Sequence, residues 1–205
     1  MKIINAGYEI LTPLDRAEIL QTIERAGRTC YKSEENITET SASRFVKRLV
    51  KHGHEAMIEH VSVTVRVTCD RGVSHEWVRH RIAAYAQEST RYCNYAHDKH
   101  GNEITVIAPC FWPADSAPYA TWKTACLAAE RAYFDLLANG ATPEQARSVL
   151  PNSLKTELIA TLNLRAWRNF FKLRTTDNVH PQMLEVARPL LAELQRALPE
   201  VFGDM

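Results

Sequence analysis

The stretch from Arg71 to Tyr95 differs in character from the rest of the chain. It carries Arg71, His75, Arg79, His80, Arg81 and Arg91, with only Glu76 and Glu88 as acids. Arg79-His80-Arg81 is expected at the end of a helix, and a turn-like stretch with Ser89 and Thr90 follows. Guanidinium forks match phosphate oxygens, and hydroxyls and backbone amides around a bend add donors. The chemistry on offer is anion binding. A solvated basic face is the competing account, and residue types alone do not choose between them. A second basic set lies far along the chain: Arg147, Arg165, Arg168 and Arg174, with Asn163 and Asn169. Arg165 and Asn169, at i and i+4, share a helix face, and Arg168 at i+3 can join Arg165. Asn163 stands where a strand hands over to a helix. It is there either as a ligand contact or as a plain helix cap.

Other chemistries find less support. His52, His54 and His60 precede a long strand, but without HExxH spacing or acid partners. Cys93, His97 and His100 form another loose set of metal-ligand types. No metal is expected at either. Ser89 has no GxSxG elbow around it, so it reads as a phosphate-binding hydroxyl rather than a nucleophile. There is neither a P-loop nor GxGxxG. The five cysteines are odd in number and lack a CxxC pair, which disfavours a disulfide framework or a four-cysteine zinc site.

The elements that must position these residues belong to a chain of 205 residues, 45% hydrophobic and 24% charged, which suits one domain over residues 1–205. The net charge of +1 argues against a broad nucleic-acid face or a polybasic membrane anchor. No apolar run reaches membrane-spanning length, and Met1 to Gly7 lacks a signal-peptide core. The expected compartment is the cytoplasm.

Thr12-Pro13 and Gly27 bracket a first helix, from about Pro13 to Ala26. A second runs from about Ser41 to His52, with Phe45, Val46, Leu49 and Val50 on one face. Val61, Val63, Val65 and Val67 alternate with Ser62, Thr64, Arg66 and Thr68, a strand with one core face. Ser74 can cap a helix through Trp77, Arg79 and Ile82. Gly101-Asn102 marks a turn, and Ile104 to Ala108 a short strand. A long helix spans Ala117 to Ala138, and a short one starts at Thr142-Pro143-Glu144. Thr156, Leu158, Ala160 and Leu162 mark another strand, followed by a helix from Leu164 to Lys172. The last helix starts near Pro181 and should kink or break at Pro189. The class is α/β (α+β), with a central mixed β-sheet flanked by helices.

Arg79-His80-Arg81, seven residues, then Ser89 resembles the signature of the flavin-dependent thymidylate synthases. The string RHRIAAYAQESTRY extends the likeness, HGHEAMIEH resembles the family's approach to the long strand, and ARSVLPNSL and TLNLRAWRNFFKLR resemble its C-terminal half. The resemblance covers most of the chain in order. It implies an α/β homotetramer with active sites shared between subunits. It implies synthesis of dTMP from dUMP, with 5,10-methylenetetrahydrofolate giving the carbon, NADPH as reductant and FAD as cofactor. By position, Glu76, Arg79, Gln87, Glu88, Ser89, Thr90, Arg91, Arg147 and Arg174 would form the nucleotide side. Arg174, the catalytic candidate, would stabilise the ionised pyrimidine. His54, Ala56, Arg79, His80, Arg81, Gln87, Asn163, Arg165 and Asn169 would form the FAD side. The cysteines need no role.

Three positions depart from the family's usual pattern: Ala86 for Asn, Glu76 for Gln and Ala56 for Thr. The stretch Thr175 to Val179 also looks longer than usual. Ordinary divergence accounts for these. For Glu76 there is a sharper alternative, because a carboxylate accepts hydrogen bonds and cannot donate them. Against a pyrimidine it would suit the amine of cytosine, giving a 5-methyl or 5-hydroxymethyl product from dCMP. A third reading, of another class, is a non-enzymatic nucleotide or nucleic-acid binder.

Overall fold

The computed structural model describes residues 1–96 and 101–205. His97 and His100, two of the weighed metal-ligand types, lie outside the described residues. Strand β1 (Lys2–Ile4) pairs parallel with β5 (Thr105–Ile107), and a single bridge from Val106 to Leu154 ties this pair onward. A four-stranded sheet runs in the order β2 (Gly7–Ile10), β3 (Ser62–Asp70), β6 (Lys155–Asn163), β4 (Ala84–Gln87). Every pairing in it is antiparallel, so the central sheet is not mixed as expected; the parallel pair stands apart from it.

The alternation of β3 explains the sheet. Val63, Val65, Val67 and Cys69 are fully buried, and the register sets them against Leu162, Ala160, Leu158 and Thr156 of β6. Two strands with one apolar and one polar face pair well in an antiparallel sheet that has helices on one side only. On the opposite face Thr64 and Thr161 hydroxyls meet at 2.9 Å, and Arg66 pairs with Glu9 at 2.7 Å.

The helices pack on the apolar face. Helix α1 (Arg16–Thr29) starts and ends later than expected. The Asp15 carboxylate accepts from the Glu18 amide and makes the cap, while the Thr12 hydroxyl accepts from the Thr64 amide at the sheet instead. Gly27 does not stop this helix. It lies inside it, where a Cβ would stand 2.6 Å from Cε1 of Phe45. Phe45 belongs to α2 (Ser41–Lys51), which buries Ala42, Val46 and Val50 and gives way at Gly53, φ +72°.

Helix α3 (Arg71–Trp77) is capped by Asp70, whose carboxylate accepts from the Val73 amide at 2.8 Å, not by Ser74, which is inside it. Arg79, His80 and Arg81 therefore follow the helix rather than belonging to it. The Tyr85 hydroxyl, 2.8 Å from the Trp77 carbonyl and 2.9 Å from that of His80, braces this segment from β4. Helices α4 (Ala117–Ala138) and α5 (Pro143–Ala146) come where expected, the latter with a Thr142/Gln145 capping box. They enclose a second core of Ile104, Val106, Cys126, Tyr133, Ala146 and Leu154.

Helix α6 (Leu164–Arg174) buries Trp167, Phe170 and Phe171. Helix α7 (Pro181–Ala197) continues through Pro189 without the expected break. The ring costs one backbone bond, but Met183, Val186, Ala187, Leu190 and Leu194 hold the helix to the core on both sides of it. A short α8 (Pro199–Phe202) follows. No helix of the described residues is long and apolar enough to cross a membrane.

Candidate active site

Two stretches far apart in sequence meet at one open cleft of about 1080 Å³. From the segment after α3 come Arg79, His80 and Arg81. From the β6–α6 junction come Asn163, Arg165, Arg168, Asn169, Lys172 and Arg174. The expectation that Arg165 and Asn169 share a helix face holds. Asn163 caps α6, its Oδ1 accepting from the Ala166 amide at 2.8 Å. The cap reading of Asn163 holds, and the residue also lines the cleft.

Three carboxylates that sequence spacing did not suggest also reach this cleft: Glu55, Glu59 and Asp204. Arg165 pairs with Glu59 at 2.5 Å, and Arg168 with Glu55 at 2.9 Å and Asp204 at 2.6 Å. Those partners are 106, 113 and 36 residues away, so no local pattern announces them. The side chains of Arg81, Asn169 and Lys172 have no hydrogen bond or ion pair to another described residue. The cleft thus offers free donors beside arginines paired with carboxylates. Its volume stands near the upper end of ligand sites, roughly 300–1,000 Å³.

His80 sits half-buried with its ring edge-on to Phe170, centroids 4.9 Å apart. Its Nε2 accepts from Arg174 Nε at 3.0 Å. Burial, and then the Arg174 charge, push its pKa down from the ordinary histidine value. The imidazole is neutral and carries its proton on Nδ1 while that bond is made. Arg174 also donates to the Glu76 carboxylate at 2.7 Å.

The other basic set forms around the end of β4. Arg147, in a 3₁₀ turn after α5, donates to the Thr90 hydroxyl at 3.4 Å, across 57 residues of sequence. Arg91 pairs with Glu144 of α5 at 3.0 Å. The Ser89 hydroxyl accepts from the Arg91 amide at 3.2 Å. Ser89, Thr90, Arg91 and Arg147 thus converge. Glu88 turns to Lys155 at 3.1 Å. Gln87 donates inward to Ser74 at 2.9 Å and Thr156 at 3.2 Å, anchoring the segment to α3 and β6.

His54 and Ala56 are not in the cleft. They line a separate pocket of about 620 Å³ with Arg28, Tyr31, Phe45 and His52. The His52 and His54 ring centroids stand 6.3 Å apart. Among the described residues, no group of three or more His, Cys, Asp or Glu side chains is placed to hold a metal ion.

The profile of the thymidylate synthase complementing proteins matches residues 14–200. A flavin-dependent thymidylate synthase of Pyrococcus furiosus is 32% identical over 185 residues, covering 90% of this chain and 75% of its own. One of Geobacter sulfurreducens is 31% identical over 186 residues, covering 87% and 78%. One of Corynebacterium glutamicum is 30% identical over 217 residues, covering 97% and 84%. These likenesses set aside the reading as a non-enzymatic binder, and with the converging clusters they leave one assignment: the chain is an enzyme of the flavin-dependent thymidylate synthase family.

Proposed function

We propose that the chain, acting over residues 1–205 as one domain in the cytoplasm, converts dUMP to dTMP, with 5,10-methylenetetrahydrofolate as carbon donor and NADPH as reductant. The observation that carries this is the cleft. Six residues assigned to FAD by position (Arg79, His80, Arg81, Asn163, Arg165 and Asn169) line one cavity, although some 80 residues separate the two stretches they come from. Arg79, Arg81 and the amide of Asn169 would hold the diphosphate and sugar of FAD. Bound there, FAD would supply the redox and one-carbon chemistry, so no protein nucleophile is needed.

The chain's own residues bind and polarise. Ser89, Thr90, Arg91 and Arg147 would hold the nucleotide phosphate as a charge-assisted cradle. Gln87 and Glu88 would fix that cradle to the sheet through their own partners. Arg174 would face the pyrimidine and favour its ionised form, since a fixed cation stabilises a developing anion. Arg174 lines the same cleft as the residues assigned to FAD, which supports a base held beside the cofactor.

His54 and Ala56 line a different pocket of the same chain. A homotetramer with shared sites would let residues of both pockets serve one active site. Uracil is the base this reading takes. Glu76, the residue that suggested cytosine, is committed to Arg174, and the relatives are thymidylate synthases by name.

The test is to supply the purified protein with FAD, NADPH and methylenetetrahydrofolate, offer dUMP and dCMP together, and read the product masses. A methyl gain on dUMP alone is expected. A gain on dCMP would overturn the choice of base, and no gain on either would overturn the reaction.

A further inference from the structure

Arg174 is held on three sides by the protein itself. Its Nε donates to His80 Nε2 at 3.0 Å, its Nη1 to the Glu76 carboxylate at 2.7 Å, and its Nη2 reaches the Glu76 carbonyl at 3.5 Å. Arginine has five N–H donors, so one hydrogen on each terminal nitrogen is left for a ligand. Glu76 is the one carboxylate ion-paired with Arg174 among the described residues. Neither side chain is free in solvent: Arg174 is 21% exposed and Glu76 31%. The pair joins the C-terminal end of α6 to the last turn of α3, across 98 residues of sequence. The histidine contributes no compensating charge, since its Nε2 must be unprotonated to accept.

We infer that Glu76 is a positioning residue and internal counter-anion for Arg174: it aims the guanidinium into the cleft and offsets its charge, so that the nucleotide binds in competition with a carboxylate of the protein. The inference rests on the proposal that Arg174 faces the base. It gives Glu76 two separable contributions, an acceptor geometry and a negative charge. Glutamine keeps the acceptor and removes the charge, whereas alanine removes both.

The experiment compares the FAD-loaded parent, Glu76→Gln and Glu76→Ala. Affinity for dUMP is measured by equilibrium dialysis, and KM and kcat by dTMP formation. For Glu76→Gln, dUMP should bind about tenfold more tightly, the scale of one charge-assisted contact, with KM falling in step and kcat staying above that of Glu76→Ala. For Glu76→Ala, kcat should fall about tenfold or more at unchanged FAD content, because Arg174 is no longer aimed. Unchanged dUMP affinity in Glu76→Gln overturns the counter-anion role. Equal kcat in the two variants overturns the aiming role. If no variant makes dTMP yet Glu76→Gln still tightens dUMP binding, the counter-anion role stands and the proposed reaction falls.

Discussion

Arg91 and Arg147 illustrate how two residues of one type come to differ. Both were singled out for anion binding by type and position. Arg147 has a neutral hydroxyl partner in Thr90, so its charge is unspent, whereas Arg91 is half exposed and shares its charge with Glu144. Replacing Arg147 by Ala should therefore weaken dUMP binding by about tenfold or more, since a hydrogen bond to a charged group is worth roughly 1.5–3 kcal/mol. Arg91→Ala should act in the same direction and less strongly. In both variants the flavin absorption of the purified protein should persist, because neither residue lines the cleft. Titrating dUMP into each variant checks this, and an Arg147→Ala protein that binds as the parent does would remove it from the nucleotide side. Arg174→Ala makes the complementary case. Turnover should drop far more than FAD content, and equal loss of both would make Arg174 a cofactor or folding residue. The residue types were legible because Arg, Ser and Asn announce anion chemistry wherever they cluster. Their partners were not, since a pairing such as Arg91 with Glu144 depends on how the chain closes.

At the scale of elements, legibility followed the strength of the local pattern. Strands β3 and β6 alternate over nine residues each, α2 and α6 carry clear apolar faces, and α4 is long and closed by Asn139-Gly140, so their places could be read. Strands β1, β2 and β4 are only three or four residues long, too short for alternation to stand out. The turn expected at Ser89 and Thr90 follows β4 directly, while β4 itself carries no strand pattern of its own and is made a strand by hydrogen bonding to β6. At Gly27 the sequence shows that a side chain is missing, but not that Phe45 fills the space. That contact yields a test. Gly27→Ala would gain roughly 1 kcal/mol of helix propensity, but its Cβ would meet Cε1 and Cζ of Phe45 at 2.6 and 2.8 Å. The Phe45 ring is buried, with the Arg28 guanidinium 4.5 Å from its centroid, so displacing it disturbs that cation–π contact and the α1–α2 packing. Overpacking of this kind costs about 1–3 kcal/mol and should win. A Tm lower by about 2–4 °C is expected for a net loss near 1 kcal/mol. A Tm at or above the parent's would show that the α1–α2 contact yields easily.

The whole molecule is tied by an ion pair that joins its first helix to its last. The Glu200 carboxylate of α8 accepts from Arg16 of α1 and from the Ser43 hydroxyl of α2, the latter at 2.7 Å, across 184 and 157 residues of sequence. Nothing in the order of residues links these positions; the link exists because α1, α2 and α8 close over one core. Burial alone would raise the Glu200 pKa, but the Arg16 and Ser43 hydrogen bonds outweigh it and hold the group down at about 2. An unfolded glutamate titrates near 4.3. A carboxylate depressed in the folded state stabilises the fold above its unfolded pKa and loses that contribution as the pH falls through the folded one. The contribution should thus be complete above about pH 5 and fade between there and about pH 2. For a shift of this size it amounts to at most about 3 kcal/mol, less what solvent around the half-exposed Arg16 screens away. Urea melts at pH 7, 5 and 3 test this directly. The parent should lose stability mostly between pH 5 and pH 3, while Glu200→Gln should start lower at pH 7 and lose less over that interval. Parallel curves for the two proteins would place the acid sensitivity of the fold elsewhere, in carboxylates such as Asp204 whose pairing with Arg168 also lowers its pKa. Because Asp204 and Arg168 line the cleft and Glu200 does not, the two origins separate again on adding FAD: only the cleft pair should respond to the cofactor.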